Sequence, residues 1–476
     1  MRVFLILASC LALAAVKASD SKKVVCYFGS WSVYRPGNGQ FDISDIDPTV
    51  CTHLIYTFVG LEDDSVKVLD PWQDLPDEWG KDGFGRFNAL RKRNSSVKTL
   101  IAIGGWNEGS AKYSQMAANA ASREQFADNV VKFVKKWGFD GFDVDWEYPA
   151  QRGGAPQDRV NYVELLKTLR SRFDKEGLLL SAAVAAAESS ASKSFNIPEM
   201  SKYLDFINIM AYDLHGAWES VTGINAPLQP ASSDTAANKK LAVQSAVKYW
   251  LQQGAPREKL VLGMPLYGRA FTLANPSDNG VGAPARGAGT AGPYTREPGM
   301  LGYNEICETQ AQGGWKVVYD EERRAPYATK GDQWVGYDNV KSIREKAELV
   351  KDLDLGGAMV WSIETDDFKG LCGEKYPLLK TINAVLRGGK AVPEEASPPA
   401  EPEVTEVAEV PETAEPIGDE PTSRPGLCTL AGNIPDPDSC GFIACVPSVK
   451  GRFEQHPMQC APGLCFNPSN GICDWI

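Results

Sequence analysis

The sequence predicts an α/β protein whose larger part is a (β/α)8 barrel, followed by a small disulfide-rich β domain. Three observations carry this. Eight short apolar runs alternate with amphipathic stretches between residues 22 and 388. Residues 428–476 then hold six of the chain's 11 cysteines. Between the two parts lies a segment dominated by Pro, Glu, Ala and Val.

Residues 1–18 read as a secretory leader, with Arg2 as the basic start, an apolar run and small residues before a cut near Ser19. The run is too short to span a bilayer, and no later stretch is long and apolar enough, so no membrane partner is expected. The expected location is secreted and extracellular, where disulfides form. Cys10 leaves with the leader, so an even number of cysteines remains. The eight strand candidates are residues 24–28, 53–59, 98–103, 139–145, 178–184, 206–212, 260–264 and 357–361. Near-continuous apolar runs suit parallel strands buried on both faces. Ser122 and Gln125 suggest a capping-box start, after which Phe126, Val130, Phe133, Val134 and Trp137 share one helical face. Tyr162, Leu165, Leu166, Leu169 and Phe173 repeat the pattern, and a helix over 241–251 stops at Gly254. A doubly wound open sheet is the alternative for the same alternation. Residues 270–338, rich in Gly, Pro and aromatics, interrupt it between the seventh and eighth strands.

Residues 389–427 form a linker. Few large apolar groups and many like charges keep such a segment from folding, and proline extends it. Thr405, Thr413, Thr422 and Ser423 are O-glycan candidates, and Asn94-Ser95-Ser96 is the one N-glycosylation sequon. A net charge of −12 without a basic patch argues against nucleic acid. Three histidines without ligand spacing give no metal site, and the Gly-rich run 280–292 has no phosphate-loop lysine, so no cofactor is expected.

The densest chemistry lies in residues 138–149, GFDGFDVDWEYP. Asp143, Asp145 and Glu147 fall at every second position, with Val144 and Trp146 between them. In a strand this puts three carboxyls in one row and apolar groups behind. Repulsion and burial then raise at least one pKa, leaving a protonated acid beside ionised neighbours, as general acid catalysis at a glycosidic oxygen requires. The bland counterpart is an edge strand with a wet acidic face. The longer run Asp140-x-x-Asp143-x-Asp145-x-Glu147, continued by Tyr148-Pro149, resembles the signature of glycoside hydrolase family 18, the chitinases. The likeness extends over nearly the whole mature chain and is to arthropod-type members with a C-terminal chitin-binding module.

That resemblance implies a (β/α)8 TIM barrel with a small α+β insertion at about 270–338. Its implied activity is substrate-assisted, retaining hydrolysis of β-1,4 bonds in chitin, endo action being the expectation. Glu147 is the implied proton donor. Asp145 orients the substrate acetamide, Asp143 shares a proton with Asp145, and Tyr212 steadies the acetamide carbonyl. Asp140 is read as structural. Substrate-binding residues expected at strand ends are Tyr27, Trp31, Phe58, Gly104, Gly105, Trp106, Met210, Asp213, Trp218, Tyr267, Arg269 and Trp361. A single Trp or Tyr is usually core or ordinary surface; together, at matching strand ends, they suit the apolar faces of sugars. Ala102 stands where the family often has serine, which removes a hydroxyl near Asp143. The expected barrel disulfides are Cys26–Cys51 and Cys307–Cys372. In the tail, six cysteines allow 15 pairings. The resemblance to peritrophin-type chitin-binding domains implies Cys428–Cys445, Cys440–Cys473 and Cys460–Cys465. Phe442-Ile443-Ala444 departs from that pattern, which usually has an aromatic just before the third cysteine. The implied partners are chitin and N-acetylglucosamine oligomers, with the protein a monomer. The alternative is a catalytically weak chitin-binding lectin or growth-factor-like protein on the same fold.

Overall fold

The computed structural model describes residues 22–390 and 392–393, together with five short strands between 432 and 475. The expectations for the leader, almost all of the linker and the tail disulfides lie outside the described residues. The chain divides into two compact units, Met1–Pro399 and Ala400–Ile476.

The first unit is the expected closed barrel. Its leading strands are β1 (Lys23–Gly29), β2 (His53–Glu62), the hairpin partner β3 (Ser65–Val68), β4 (Lys98–Gly104), β5 (Gly141–Asp145), β6 (Leu179–Ala185), β7 (Phe206–Met210) and β8 (Leu260–Pro265). An inserted sheet follows: β9 (Tyr267–Leu273), β10 (Ala285–Ala288), β11 (Met300–Gly302), β12 (Lys316–Asp320), β13 (Ala325–Lys330) and β14 (Gln333–Gly336). β15 (Gly357–Trp361) then returns to the barrel. Parallel pairing runs β1-β15-β8-β7-β6-β5-β4-β2, and β1 also pairs with β2, which closes the ring. That closing pair excludes the doubly wound alternative.

The strands are apolar on both sides because both sides are covered. On β5, Phe142 and Val144 face outward, where Phe126 and Phe173 of helices Ala120–Trp137 and Asp158–Phe173 pack on Phe142. Asp143 and Asp145 alternate to the inside. Trp146 stays buried with its indole N–H on Ser110 Oγ at 2.6 Å. Asp140 is structural, as expected: its carboxylate accepts from Arg91 and from the Thr99 backbone, stapling the start of β4 to the start of β5.

Several boundaries differ from the sequence reading. The helix expected to cap at Ser122 starts at Ala120, because the Asn119 side chain takes the free N–H groups of Ala121 and Ser122. The sixth barrel strand stops at Met210, so Tyr212 and Asp213 lie in the loop beyond it. The helix expected over 241–251 is Val243–Gln252. The insertion begins at Tyr267 rather than near 270, since β9 pairs with β10, β11 and β14 and only one residue separates it from β8. With helix Tyr303–Ala311 it is α+β, as expected. Cys26–Cys51 and Cys307–Cys372 are both bonded, the second tying the insertion helix to the loop after β15. No helix among the described residues is long and apolar enough to cross a membrane.

The second unit contains an antiparallel sheet of Gly432–Pro435, Phe442–Pro447 and Phe453–Met458, and a separate pair, Leu464–Asn467 with Ile472–Trp475.

Candidate active site

The carboxyl row sits at the C-terminal end of β5, the end at which such barrels carry their chemistry. Asp143 is wholly buried. Its two oxygens are taken by the Tyr27 hydroxyl at 2.8 Å and the Ser181 hydroxyl at 2.6 Å, with Asn208 Nδ2 at 3.4 Å. Burial pushes its pKa up to about 6, and these donors hold it from rising further. Asp145 is buried too, and its Oδ1 has no hydrogen-bond donor among the described residues. Burial raises its pKa well above the carboxylate range, and the charges of Glu147 and Asp143 push the same way. Glu147 lies just beyond the strand end and is 9% exposed. Burial raises it to about 7, with Asp213 adding to the rise, while a hydrogen bond from Tyr148 and the charge of Arg152 oppose it.

The glycines before the row are required by its closeness. A Cβ on Gly104 would stand 2.1 Å from the Asp145 carbonyl oxygen, and one on Gly105 2.7 Å from the Phe58 ring. Both have positive φ, and Gly105 N–H donates to that same carbonyl at 2.8 Å. They lock β4 against β5 beneath the carboxylates. Non-proline cis peptides occur at Thr57-Phe58, Glu147-Tyr148 and Trp361-Ser362.

Aromatic side chains surround this end of the barrel. Trp361, at the end of β15, stacks with Phe58 at 5.8 Å and lies 5.5 Å from Tyr27 and 6.2 Å from Trp31. Trp31, Trp106 and Trp218 are 41%, 60% and 62% exposed, so their rings are open to a ligand. Tyr212 is buried, with its hydroxyl 3.9 Å from Met359 Sδ, a weak acceptor. Asp213 receives hydrogen bonds from Tyr267 and Arg269, both at 2.7 Å, which sets Arg269 on the rim beside Trp218. Met210 ends β7 half-buried. Of the sixteen catalytic and substrate-binding residues named from the sequence, Tyr27, Phe58 and Asp143 lie inside β1, β2 and β5, Tyr212, Asp213 and Trp218 lie in the loop after β7, Tyr267 and Arg269 lie on β9, and the others stand at or just past the ends of barrel strands. Asn94 lies in a turn on the opposite side, before β4. Its Oδ1 accepts from Ser96, and its Nδ2 donates to the Pro48 carbonyl at 2.8 Å.

Four participants escaped the sequence reading. Ser181 and Asn208 sit on β6 and β7 facing Asp143, and their signal was a polar residue inside an otherwise apolar strand run. The register pairs Asp143 with Ala102 on one side and Ser181 on the other. Ser181 thus gives Asp143 a hydroxyl from β6, while Ala102 on β4 has none to give. Tyr34 and Trp72 stack at 6.1 Å and, half-exposed, extend the aromatic row beyond Trp31.

The profile of glycosyl hydrolases family 18 matches residues 23–366. Probable chitinase 2 of Drosophila melanogaster is 42% identical over 417 residues, covering 81% of this chain and 84% of that protein. Chitotriosidase-1 of Mus musculus is 37% identical and covers 98% of both. Among solved structures, the Group IV chitinase of Ostrinia furnacalis in complex with allosamidin superposes with a TM-score of 0.75 at 47% identity, covering 78% of this chain and all of that one.

Proposed function

Since the chain belongs to glycosyl hydrolases family 18 and is a glycoside hydrolase, we propose that it hydrolyses β-1,4 bonds between N-acetylglucosamine units of chitin by a retaining, substrate-assisted route. One observation carries this reading: buried Glu147, its pKa raised by burial to about 7, stands two residues after a buried Asp145 whose Oδ1 has no donor among the described residues. Most retaining glycosidases pair a carboxylic acid with a carboxylate nucleophile on the protein, and this family departs from that scheme by using the substrate's own amide.

In this reading Glu147 gives its proton to the bridging oxygen as the bond to C1 lengthens. The substrate's 2-acetamido carbonyl oxygen attacks C1 from within the sugar, forming an oxazolinium ion. With the proton they share moved onto Asp143, the Asp145 carboxylate accepts the acetamide N–H at Oδ1, which orients the group and offsets its developing positive charge. The Tyr212 hydroxyl donates to the acetamide carbonyl. Water then opens the ring from the face the leaving sugar vacated, with Glu147 taking its proton, so configuration is retained. The relatives that carry the name chitinase, and the Ostrinia enzyme's complex with allosamidin, support a chitin-type ligand. The aromatic row would take the apolar faces of successive sugars, with Trp361 under the one at the cleavage point.

We further propose that the chain is secreted and acts as a monomer, and that the C-terminal unit binds chitin. A chitin-binding tail on an extended linker would raise the enzyme's local concentration on insoluble polymer. The test of the whole reading is a defined N-acetylglucosamine hexamer set against fully deacetylated chitosan. The hexamer should be cut with the β-anomer released first, and chitosan, lacking the internal nucleophile, should resist. Rapid cleavage of chitosan, or an α-anomeric first product, refutes the mechanism.

A further inference from the structure

Arg152 stands apart from the residues assigned above. Its guanidinium carbon lies 3.5 Å from the centroid of the Trp106 ring, and its Nη1 donates to the Glu147 carbonyl oxygen at 2.9 Å. One exposed side chain thus joins the aromatic ring after β4 to the backbone of the acid after β5. Its own backbone has φ +52, a left-handed conformation rare for an arginine. The loop around it holds that conformation. Buried Asp158 accepts from the Ala150 N–H and from Ser114 Oγ, and Gln151 Nε2 donates to Ser190 and Ser194 Oγ at 2.7 Å each. A loop braced at both ends around a strained arginine fits a side chain that must sit in one place.

We propose that Arg152 is a positioning residue with a second, specificity-setting role: it backs Trp106 as a sugar platform and fixes the acid-bearing segment beside it. The guanidinium covers one face of the indole and leaves the other for a sugar ring, with its charge strengthening the stack. This inference rests on the hydrolase reading above and assigns Trp106 and Arg152 to the binding of N-acetylglucosamine units along the polymer.

The charge of Arg152 also acts on Glu147. The charged and titratable groups facing that carboxyl are Asp145 at the end of β5, Asp213 after β7 with its partner Arg269, the hydroxyls of Tyr148 and Tyr212, and Arg152. Of these, Arg152 is the cation that lowers the Glu147 pKa. An acid that must be protonated loses activity above its pKa. Removing Arg152 therefore moves the basic limb of the kcat/KM profile to higher pH, by about half a pH unit.

The experiment compares Arg152→Gln and Arg152→Lys in the full chain. On an aryl chitobioside, Arg152→Gln should shift the basic limb upward, and Arg152→Lys, which keeps a cation, should hold it nearer the wild-type position. In a Glu147→Gln background, tryptophan fluorescence titrated with N-acetylglucosamine hexamer should show about fivefold weaker binding for either replacement, because neither offers a planar cation to the indole. An unmoved limb in Arg152→Gln together with unchanged hexamer affinity overturns the proposal. A drop in melting temperature with both readouts unchanged also overturns it, since that describes a purely structural arginine. Wild-type protein that binds hexamer but cleaves none refutes the hydrolase reading, and the titration alone then decides the Trp106 platform.

Discussion

Two clusters of buried acids close the same end of the barrel, and they are built differently. After β15, Glu364, Asp366 and Asp367 are all buried, and each carboxylate is met by donors. Glu364 accepts from Gly29 N–H and Ser362 Oγ; Asp366 from Leu379 and Asp367 N–H; Asp367 from Gly370, Leu371 and Cys372 N–H. On β5, Asp143 is met in the same way, but Asp145 keeps an oxygen without a donor, and the Arg152 hydrogen bond reaches Glu147's backbone rather than its carboxyl. Burial raises pKa values in both places: Asp366 to about 7 and Glu147 to about 7. Burial and acidity alone do not mark a reactive group. An unanswered hydrogen-bonding capacity beside an open aromatic rim does, because an unpaired buried oxygen is costly unless a ligand completes it.

Exchanging an acid for its amide in each cluster should separate the two most sharply. Glu147→Gln keeps shape and polarity but cannot donate an acidic proton, so hydrolysis of an N-acetylglucosamine oligomer should fall by about 10²–10⁴-fold. Oligomer affinity should stay near wild type. Asp366→Asn should behave in the opposite sense. Its new NH2 group faces backbone donors, which costs on the order of 1–3 kcal/mol of stability, while kcat per folded molecule changes little. Chemical denaturation and active-site-normalised rates give both numbers. A Glu147→Gln enzyme of wild-type turnover, or an Asp366→Asn enzyme that is stable but dead, would dissolve the distinction.

A smaller test uses pH. Asp143, Glu147, Asp74 and Asp366 all have native pKa values raised, to between about 6 and about 7, from ordinary values of 3.8 for Asp and 4.5 for Glu. In that window the native state holds protons that the unfolded chain has released. Their contribution to stability is full below about pH 4 and is lost as pH rises through 6 to 7. The catalytic unit should therefore melt at a lower temperature at pH 8 than at pH 5. In Glu147→Gln the decline should be shallower by up to about 1.4 kcal/mol per pH unit over part of that window. A stability profile that climbs from pH 5 to 8 would show that Glu147 and its neighbours do not hold these protons.

Much of this was legible in the residues. The alternation of apolar runs and helical faces pointed to the barrel, because a strand covered on both sides must be apolar throughout. The two-residue spacing put Asp143 and Asp145 on one side of β5 with Glu147 just past its end, and Trp146, between the last two acids, packs on Tyr113 and Tyr162 of the helices. What stayed hidden depends on how strands distant in sequence stand side by side. Nothing local says that Ser181 and Asn208, far along the chain, stand beside Asp143, or that Arg152 folds back onto Trp106. The capping position failed for a local reason: Asn119, three residues upstream of the expected cap, offered its side chain to the first free N–H groups.

The last and smallest expected effect tests whether neighbouring strands share the duty of supporting Asp143. Ala102 and Ser181 lie in register on either side of it. Ser181→Ala removes one of its donors, so the Asp143 pKa, already raised by burial, should rise further. The ionised form that polarises Asp145 then becomes scarcer, and kcat should drop about threefold to tenfold, the worth of one hydrogen bond to a charged group partly covered by Tyr27 and Asn208. Parallel register points residue 102 to the same side as Asp143, so Ala102→Ser in the Ser181→Ala background should return a hydroxyl from the opposite strand and recover most of the rate. A double variant no better than the single one would mean that the direction of the hydroxyl matters, not merely its presence. The β6 side would then be the one from which a serine hydroxyl can reach Asp143, alongside Tyr27 of β1 and Asn208 of β7.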